Sequence, residues 1–140
     1  MSVQAVLLPL FVQVALTLVV GFWAARARYA AVKRGEVRPR DVALREPAWP
    51  MQATQIANAY QNQLELPLLF YLLTVLALIT RQADLLFVVM AWLFVALRLV
   101  HVWIHVTDNH LRRRFIAFAA GAVVLTLMWL VFAARILLGT

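Results

Sequence analysis

The sequence predicts an all-α, polytopic membrane protein, whose four transmembrane helices form an antiparallel bundle and a single domain over residues 1–140. First, 65% of the residues are hydrophobic and 14% are charged, whereas a soluble domain is about half apolar and about a quarter charged. Second, four apolar runs are each long enough to cross a hydrocarbon core of ~30 Å. Third, the chain has no cysteine, which excludes a disulfide scaffold, a thiol nucleophile and thiolate metal ligands. The apolar composition and the four long apolar runs together exclude a water-soluble enzyme domain.

The first predicted span covers residues 3–25. No basic side chain precedes this run and an arginine-rich stretch follows it. A secretory signal peptide has the opposite arrangement, with its positive charge before the apolar segment. We therefore expect a helix that is retained in the membrane.

Residues 26–50 form the one long connection in the chain and hold seven of its thirteen basic residues. These are Arg26, Arg28, Lys33, Arg34, Arg38, Arg40 and Arg45. Gly35, Pro39, Pro47 and Pro50 divide the stretch into pieces too short for a stable helix. We therefore predict a basic loop with no more than one helical turn.

The other predicted spans cover residues 51–80, 85–106 and 115–138, joined by a turn at 81–84 and a basic turn at 107–114. With four spans, loop 26–50 and turn 107–114 lie on one side of the membrane, and both termini lie on the other. The first side carries ten of the thirteen basic residues, so the positive-inside rule makes it cytoplasmic and the termini non-cytoplasmic. Charges clustered beside apolar runs argue against a nucleic-acid partner, and the composition suggests a bacterial inner membrane.

Polar side chains in two of the spans are functional candidates, because a polar group at membrane depth is costly and faces protein or water. In the second span they recur at intervals of three and four residues, which places them on one helix face. These are Gln55, Asn58, Asn62 and Glu65, with Gln61 at the edge. In the third span Arg98, His101 and His105 have the same kind of spacing. We expect the two stripes to meet in a polar pocket.

Glu65 and Arg98 lie at similar expected depths, each roughly 20 Å from the non-cytoplasmic end of a continuous helix that rises ~1.5 Å per residue. A bidentate carboxylate–guanidinium pair would satisfy both groups. We therefore predict an ion pair between Glu65 and Arg98 that holds the two helices in register. Pro67 is expected to kink the second span, because proline lacks a backbone N–H.

His101 and His105 share a helix face, and this spacing is also found in metal and haem sites. The chain has no cysteine, and the carboxylate nearest in depth is assigned to Arg98. A hydrogen-bonding role in the polar pocket is therefore the favoured interpretation, and we expect no metal.

Three arginines, residues 112–114, precede the fourth span. They could act only as signals of membrane topology. Arg114, however, starts the span at the level of His105 and Asn58, so its cation could point into the mouth of the pocket.

Residues 59–65, AYQNQLE, followed by Pro67, resemble the second-helix signature of the MAPEG family, the membrane-associated proteins in eicosanoid and glutathione metabolism. That signature reads approximately R-A-H-x-N-x-x-E-x-x-x-P. Arg98 and His101, with His105 and Arg114 beyond them, resemble the family's third-helix segment R-x-x-H-x-x-x-Y and the arginine that opens its fourth helix. Four spans and a basic first loop also fit the family.

The chain departs from the family pattern at several positions. Asn58 stands where the signature has arginine, Tyr60 where it has histidine, and His105 where the third helix has tyrosine. Pro67 follows Glu65 by two residues, which is closer than in the pattern. The missing arginine removes a contact expected to hold a carboxylate of glutathione.

The resemblance implies a homotrimer of four-helix subunits that binds glutathione as a co-substrate between adjacent subunits. Arg114 would then be the catalytic residue that stabilises the glutathione thiolate, because a cation beside a thiol lowers its pKa. The residues implied to bind glutathione or support its site are Asn62, Glu65, Asn58, Gln61, Arg98, His101 and His105, with Arg26 or Arg28 as the first-helix base. Membrane lipid and a lipophilic small molecule are the other expected partners.

Two functions agree with this interpretation. The first is a glutathione transferase or peroxidase that acts on lipophilic substrates reaching the site from the bilayer. The second is a non-catalytic membrane protein of the same fold, in which the polar stripes are structural and the trimer binds a lipid or a partner. A transporter or channel is disfavoured, because the second span is polar only in its cytoplasmic half.

Overall fold

The computed structural model describes residues 1–44 and 48–140, so Arg45 and Pro47 of the predicted basic loop lie outside the described residues. Its α-helices are α1 (Val3–Lys33), α2 (Met51–Gln63), α3 (Leu66–Ile79), α4 (Leu85–Val106) and α5 (Leu111–Leu138). Four stretches are long and apolar enough to cross a membrane, with α2 and α3 forming one of them. The described chain is therefore an all-helical, multi-pass integral membrane protein.

The first helix extends beyond the apolar run, to Lys33 rather than residue 25. Hydropathy marks only the part of a helix that lies in lipid, whereas residues 26–33 contain no glycine or proline to end it. Gly35, with φ +77°, ends it: its N–H donates to the carbonyl of Val32, and that of Glu36 to the carbonyl of Ala31, both at 3.0 Å. This is a Schellman motif. The predicted loop is therefore wrong for residues 26–33, and farther on it contains one 3-10 turn, Pro39–Asp41.

The second span is two helices rather than one. α2 ends at Gln63 and α3 begins at Leu66, with Glu65 between them at φ −100° and ψ −103°. Pro67 occupies the first turn of α3 and has no N–H to donate to the carbonyl of Gln63. The continuous helix predicted over residues 51–80 is therefore wrong, and the expected kink is a full break.

The last helix begins earlier than residue 115, at Leu111. His110 caps it, because the Nδ1 atom of His110 accepts the backbone N–H of Arg113 at 3.3 Å. Residues 112–114 therefore lie in the first turn of α5 and not in a connecting turn. Successive helical residues are rotated by about 100°, so the three arginine side chains point in different directions.

The largest buried core joins α1, α3, α4 and α5. It consists of Val6, Phe70, Leu73, Ala77, Phe87, Val88, Ala91, Phe94, Val95, Val124, Leu125 and Met128. The rings of Phe70 and Phe94 pack against each other at a tilt of 32°, with centroids 4.9 Å apart. Many large apolar side chains instead face outward, among them Phe22 and Trp103. Such a continuous apolar exterior is suited to lipid and not to water.

α1 and α2 approach each other closely at Gly21. A Cβ atom at this position would lie 2.8 Å from Cε2 of Tyr60, which is closer than carbon atoms can pack. The tyrosine ring therefore occupies the space that a side chain at position 21 would need. Tyr60 is therefore a helix-contact residue, and a side chain at position 21 would displace its ring.

Different polar contacts hold the two ends of the bundle. At the end with the α1–α2 connection and the α4–α5 turn, here called the basic end, Gln55 joins α2 to α4. Its Nε2 atom donates to the carbonyls of His105 at 2.7 Å and Thr107 at 3.1 Å. These carbonyls belong to the last turn of α4 and to the residue that caps it, where helical partners are lacking.

At the opposite end, Asp84 joins the α3–α4 turn to α5. One carboxylate oxygen caps α4 by accepting the N–H of Phe87 at 3.0 Å. The other lies 2.8 Å from Nη2 of Arg135. The hydrogen bond from Arg135 holds the pKa of the Asp84 carboxyl below its ordinary value of 3.8.

The two roles of Asp84 can be separated by substitution. We expect Asp84→Ala to lower the free energy of unfolding by about 1–2 kcal/mol, because both the helix cap and the ion pair are lost. Asp84→Asn can still cap α4, and should cost less than about 1 kcal/mol, since the ion pair is partly exposed and screened by water. Thermal unfolding in detergent measures both.

The pH dependence provides an independent check of the ion pair. Because the pKa of Asp84 is depressed in the folded state, its contribution is present above the ordinary carboxyl pKa and is lost as the pH falls through the folded value. The Asp84→Asn protein should therefore lose less stability on acidification than the wild type. Identical acid profiles would show that the ion pair contributes nothing.

Candidate functional site

The polar stripes of α2 and α4 meet at the basic end of the bundle, next to the first turns of α5. They line an open cleft of about 400 Å³, here called the polar cleft. Its lining residues are Asn58, Gln61, Asn62, Glu65, His101, His105 and Arg114, with Leu111, Phe115 and Phe118. Most of the candidate residues found in the sequence therefore lie around one cleft.

Arg98 lies behind the wall of the polar cleft and is only 1% exposed. Its Nη2 atom donates to the side-chain oxygen of Asn62 and, at 3.4 Å, to the backbone carbonyl of the same residue. A buried guanidinium group requires acceptors from the protein, because burial removes its water. The break after α2 helps to supply them, since the carbonyl groups at a helix end lack helical partners.

The predicted ion pair between Glu65 and Arg98 is wrong. Glu65 takes part in none of the ion pairs in the described chain, and it lies exposed at the polar cleft. The prediction assumed one continuous second helix. The break before α3 changes the direction of the Glu65 side chain, and Asn62, one turn earlier, is the acceptor for Arg98 instead.

His101 and His105 are neighbours in the wall of the cleft, 2% and 6% exposed. Their rings meet edge to face, with centroids 5.5 Å apart. The Nδ1 atom of each ring is buried and has no hydrogen-bond partner in the described chain. Because unpaired buried nitrogen atoms are costly, both rings favour a bound water or a polar ligand nearby.

No group of three or more His, Asp or Glu side chains among the described residues is arranged to hold a metal ion. His101 and His105 supply only two nitrogen donors on one helix face. A closed metal site usually requires four ligands. The polar groups that line the cleft are amides, imidazoles, one carboxylate and one guanidinium group.

Only one of the three arginines at the start of α5 lines the polar cleft. Arg114 is half-buried and lies among the cleft residues, whereas Arg112 and Arg113 are exposed and point elsewhere. Nη1 of Arg114 donates to Oδ1 of Asn109 at 2.7 Å. The geometry of α5 therefore places the guanidinium group of Arg114, and not those of its two neighbours, at the polar cleft.

The two candidate bases of α1 do not line the polar cleft. Arg26 lines a separate cleft of about 350 Å³ between α1 and the start of α2. The guanidinium carbon of Arg28 lies 4.9 Å from the centre of the Trp49 ring, a cation–π contact that joins α1 to the following connection.

A buried polar contact between α1 and α2 involves two residues that are not among the candidates predicted from the sequence. Gln13 and Gln63 are fully buried, and Nε2 of Gln13 donates to Oε1 of Gln63 at 3.0 Å. Nε2 of Gln63 in turn donates to the carbonyl of Ala59 at 3.1 Å. The signal was present in the sequence, because Gln13 is an isolated polar residue in an apolar span.

Comparison with known protein families gives a match over nearly the whole chain. The model of the MAPEG family matches residues 6–134, a range that contains every residue of the polar cleft. Comparisons with curated proteins and with solved structures gave no significant match.

The contact between Asn62 and Arg98 can be tested against a neighbouring residue of the same stripe. We expect Asn62→Ala to lower the free energy of unfolding by about 2 kcal/mol, because a buried cation loses its side-chain acceptor. Asn62→Asp should restore most of the stability, since a carboxylate also accepts from Arg98. Thermal unfolding in detergent is the measurement.

Asn58→Ala is the matched control, because Asn58 is an exposed asparagine on the same helix face. This control should change the free energy of unfolding by no more than about 0.5 kcal/mol. If the two alanine variants are equally stable, the Asn62–Arg98 contact does not support the fold.

Proposed function

Since the chain belongs to the MAPEG family, we propose that it is an integral membrane enzyme, a glutathione-dependent transferase or peroxidase that acts on lipophilic substrates. The observation that carries this proposal is the position of Arg114. Of the three arginines that open α5, it is the one that lines the polar cleft. A cation in a partly buried cleft favours the anionic form of a thiol beside it.

The proposed chemistry requires a thiolate. Glutathione gives up its thiol proton to water, and the guanidinium of Arg114 stabilises the remaining anion. In the transferase reaction the sulfur bonds to an electrophilic carbon of the substrate, and the leaving group departs with its electron pair. In the peroxidase reaction the sulfur takes one oxygen from a hydroperoxide, which leaves an alcohol. A second glutathione then yields the disulfide and water.

The other residues of the polar cleft suit the peptide part of glutathione. Asn58 and Gln61 offer amide groups to its peptide bonds, and the carboxylate of Glu65 suits its ammonium group. The Oδ1 atom of Asn62 is engaged by Arg98, which leaves its amide nitrogen to donate to the ligand. Arg98 thus supports the site through Asn62, while His101 and His105 donate or accept beside it.

A second subunit accounts for the two bases of α1. Arg26 and Arg28 lie away from the polar cleft of their own subunit. In the proposed homotrimer, α1 of a neighbouring copy approaches the cleft, and one of these arginines binds a carboxylate of glutathione. The family signature has an arginine at the position of Asn58, and its contact with a glutathione carboxylate is missing here. The arginine from the neighbouring copy replaces part of that contact.

Lipophilic substrates reach the site from the membrane in this proposal. Phe115 and Leu111 line the cleft and are also exposed on the outer surface of the helix, 66% and 69% respectively. An apolar molecule dissolved in the lipid therefore reaches the thiolate along a path lined by apolar side chains. Membrane lipid occupies the same outer surface in the absence of substrate.

A non-catalytic member of the same family is the alternative, and one observation favours it. Several polar residues of the stripes are already engaged in contacts between helices, with Gln55 holding the end of α4 and Asn62 holding Arg98. In that case the stripes are structural, and the protein binds a lipid or a protein partner.

The proposed orientation places the basic end in the cytoplasm and both termini outside it, in a bacterial inner membrane. The absence of cysteine makes this easy to test. Ala43→Cys, in the exposed α1–α2 connection, should resist an impermeant thiol reagent in intact cells. Thr140→Cys, at the exposed end of the chain, should react readily. The reverse pattern of labelling would overturn the orientation.

Arg114→Ala tests the function. Calorimetry should first give saturable glutathione binding to the purified wild type, and its absence would favour the non-catalytic alternative. With binding established, Arg114→Ala should raise the pKa of the bound thiol and lower turnover about tenfold or more, because the cation next to the sulfur is lost. Arg112→Ala removes an equal charge from the exposed face and should change little. Equal effects would mean that the arginines act through general charge alone.

A further inference from the structure

The side chain of Arg114 is long and flexible, so its place in the cleft requires a contact that holds it. That contact is the 2.7 Å hydrogen bond from Nη1 of Arg114 to Oδ1 of Asn109. Asn109 lies in the α4–α5 turn and is half-buried. With Nη1 engaged in this way, Nε and Nη2 remain to face a ligand.

The backbone of Asn109 is fixed independently of its side chain. Its φ is +51°, a left-handed conformation that asparagine tolerates better than most residues other than glycine. Its N–H donates to the carbonyl of Ile104 at 2.8 Å and so closes the last turn of α4. The amide group therefore projects from a defined point toward the start of α5.

The group of Asn109 that accepts the hydrogen bond from Arg114 is a neutral amide oxygen. An amide oxygen orients a guanidinium group without cancelling its charge, whereas a carboxylate would form an ion pair and compete with the thiolate. The neighbouring carboxylate, Asp108, lies 3.8 Å from Arg113 instead. Arg114 takes part in none of the ion pairs of the described chain, so its charge remains available to an anion in the cleft.

We propose that Asn109 is a positioning residue, which holds the guanidinium of Arg114 against the sulfur of a thiol bound in the polar cleft. This inference rests on the proposed function, because it assumes that the anion is a thiolate. It assigns a role to a residue outside the lining of the cleft and outside both polar stripes.

The Asn109→Gly variant separates the two roles of the residue. Glycine adopts a positive φ without strain, so it preserves the turn while it removes the acceptor. We expect unchanged thermal unfolding, a kcat about tenfold lower with little change in KM, and a higher pKa of the bound glutathione thiol, read from the ultraviolet absorbance of the thiolate. If Asn109 serves only the turn, Asn109→Gly will have the wild-type thiol pKa and kcat, and the proposal is overturned.

Asn109→Asp provides a second measurement that does not depend on the glycine variant. Its carboxylate can still hold Arg114 but offsets its charge, so the bound thiol should again have a higher pKa than in the wild type. A wild-type thiol pKa in this variant contradicts the proposal. Arg112→Ala is the control and should retain both thiol pKa and kcat.

The wild-type measurement distinguishes the failure of this inference from the failure of the proposed function. If the wild type binds glutathione as a thiolate and both Asn109 variants behave like it, only the positioning role is wrong. If the wild type yields no bound thiolate at any pH, the proposed function is wrong, and the role of Asn109 is overturned with it.

Discussion

Arg98 brings a guanidinium group into the interior of a bundle whose outer surface is apolar, where no bulk water can solvate it. The protein must therefore supply acceptors, and Asn62 supplies two, its side-chain oxygen and its backbone carbonyl. The carbonyl lies at the end of α2, just before the chain breaks ahead of Pro67. The charge of Arg98 and the break in the second span are thus parts of one arrangement.

The same break shapes the polar cleft. It ends the polar helix α2 at Gln63 and leaves Glu65 exposed at the cleft rather than buried against Arg98. Beyond it, α3 is almost entirely apolar and packs into the main core through Phe70 and neighbouring residues. The polar and apolar halves of the second span therefore form two separate helices. The polar cleft lies beside the C-terminal part of the polar helix, α2.

Helix geometry accounts for the difference between three arginines that look alike in the sequence. Because His110 starts α5 at Leu111, Arg112, Arg113 and Arg114 are fixed at successive rotations around the helix axis. Two of them lie exposed at the surface, and the third lies at the cleft beside Asn109. All three arginines contribute to the proposed membrane topology, whereas only Arg114 takes part in the proposed chemistry.

The sequence by itself determined that the chain is a four-span membrane protein of the MAPEG family and which polar residues interrupt its apolar spans. Hydropathy and helical spacing are local properties, so the two polar stripes could be found from the order of residues alone. Only the tertiary structure decided the contacts of each polar side chain. Pro67 predicts a kink in the second span, but the structure has a full break there. Because of this break, Asn62 and not Glu65 accepts the hydrogen bond from Arg98. Likewise, the backbone conformation of the α4–α5 turn brings Asn109 to Arg114. Asparagine tolerates a left-handed conformation, but which side chain it then reaches depends on how α4 and α5 pack.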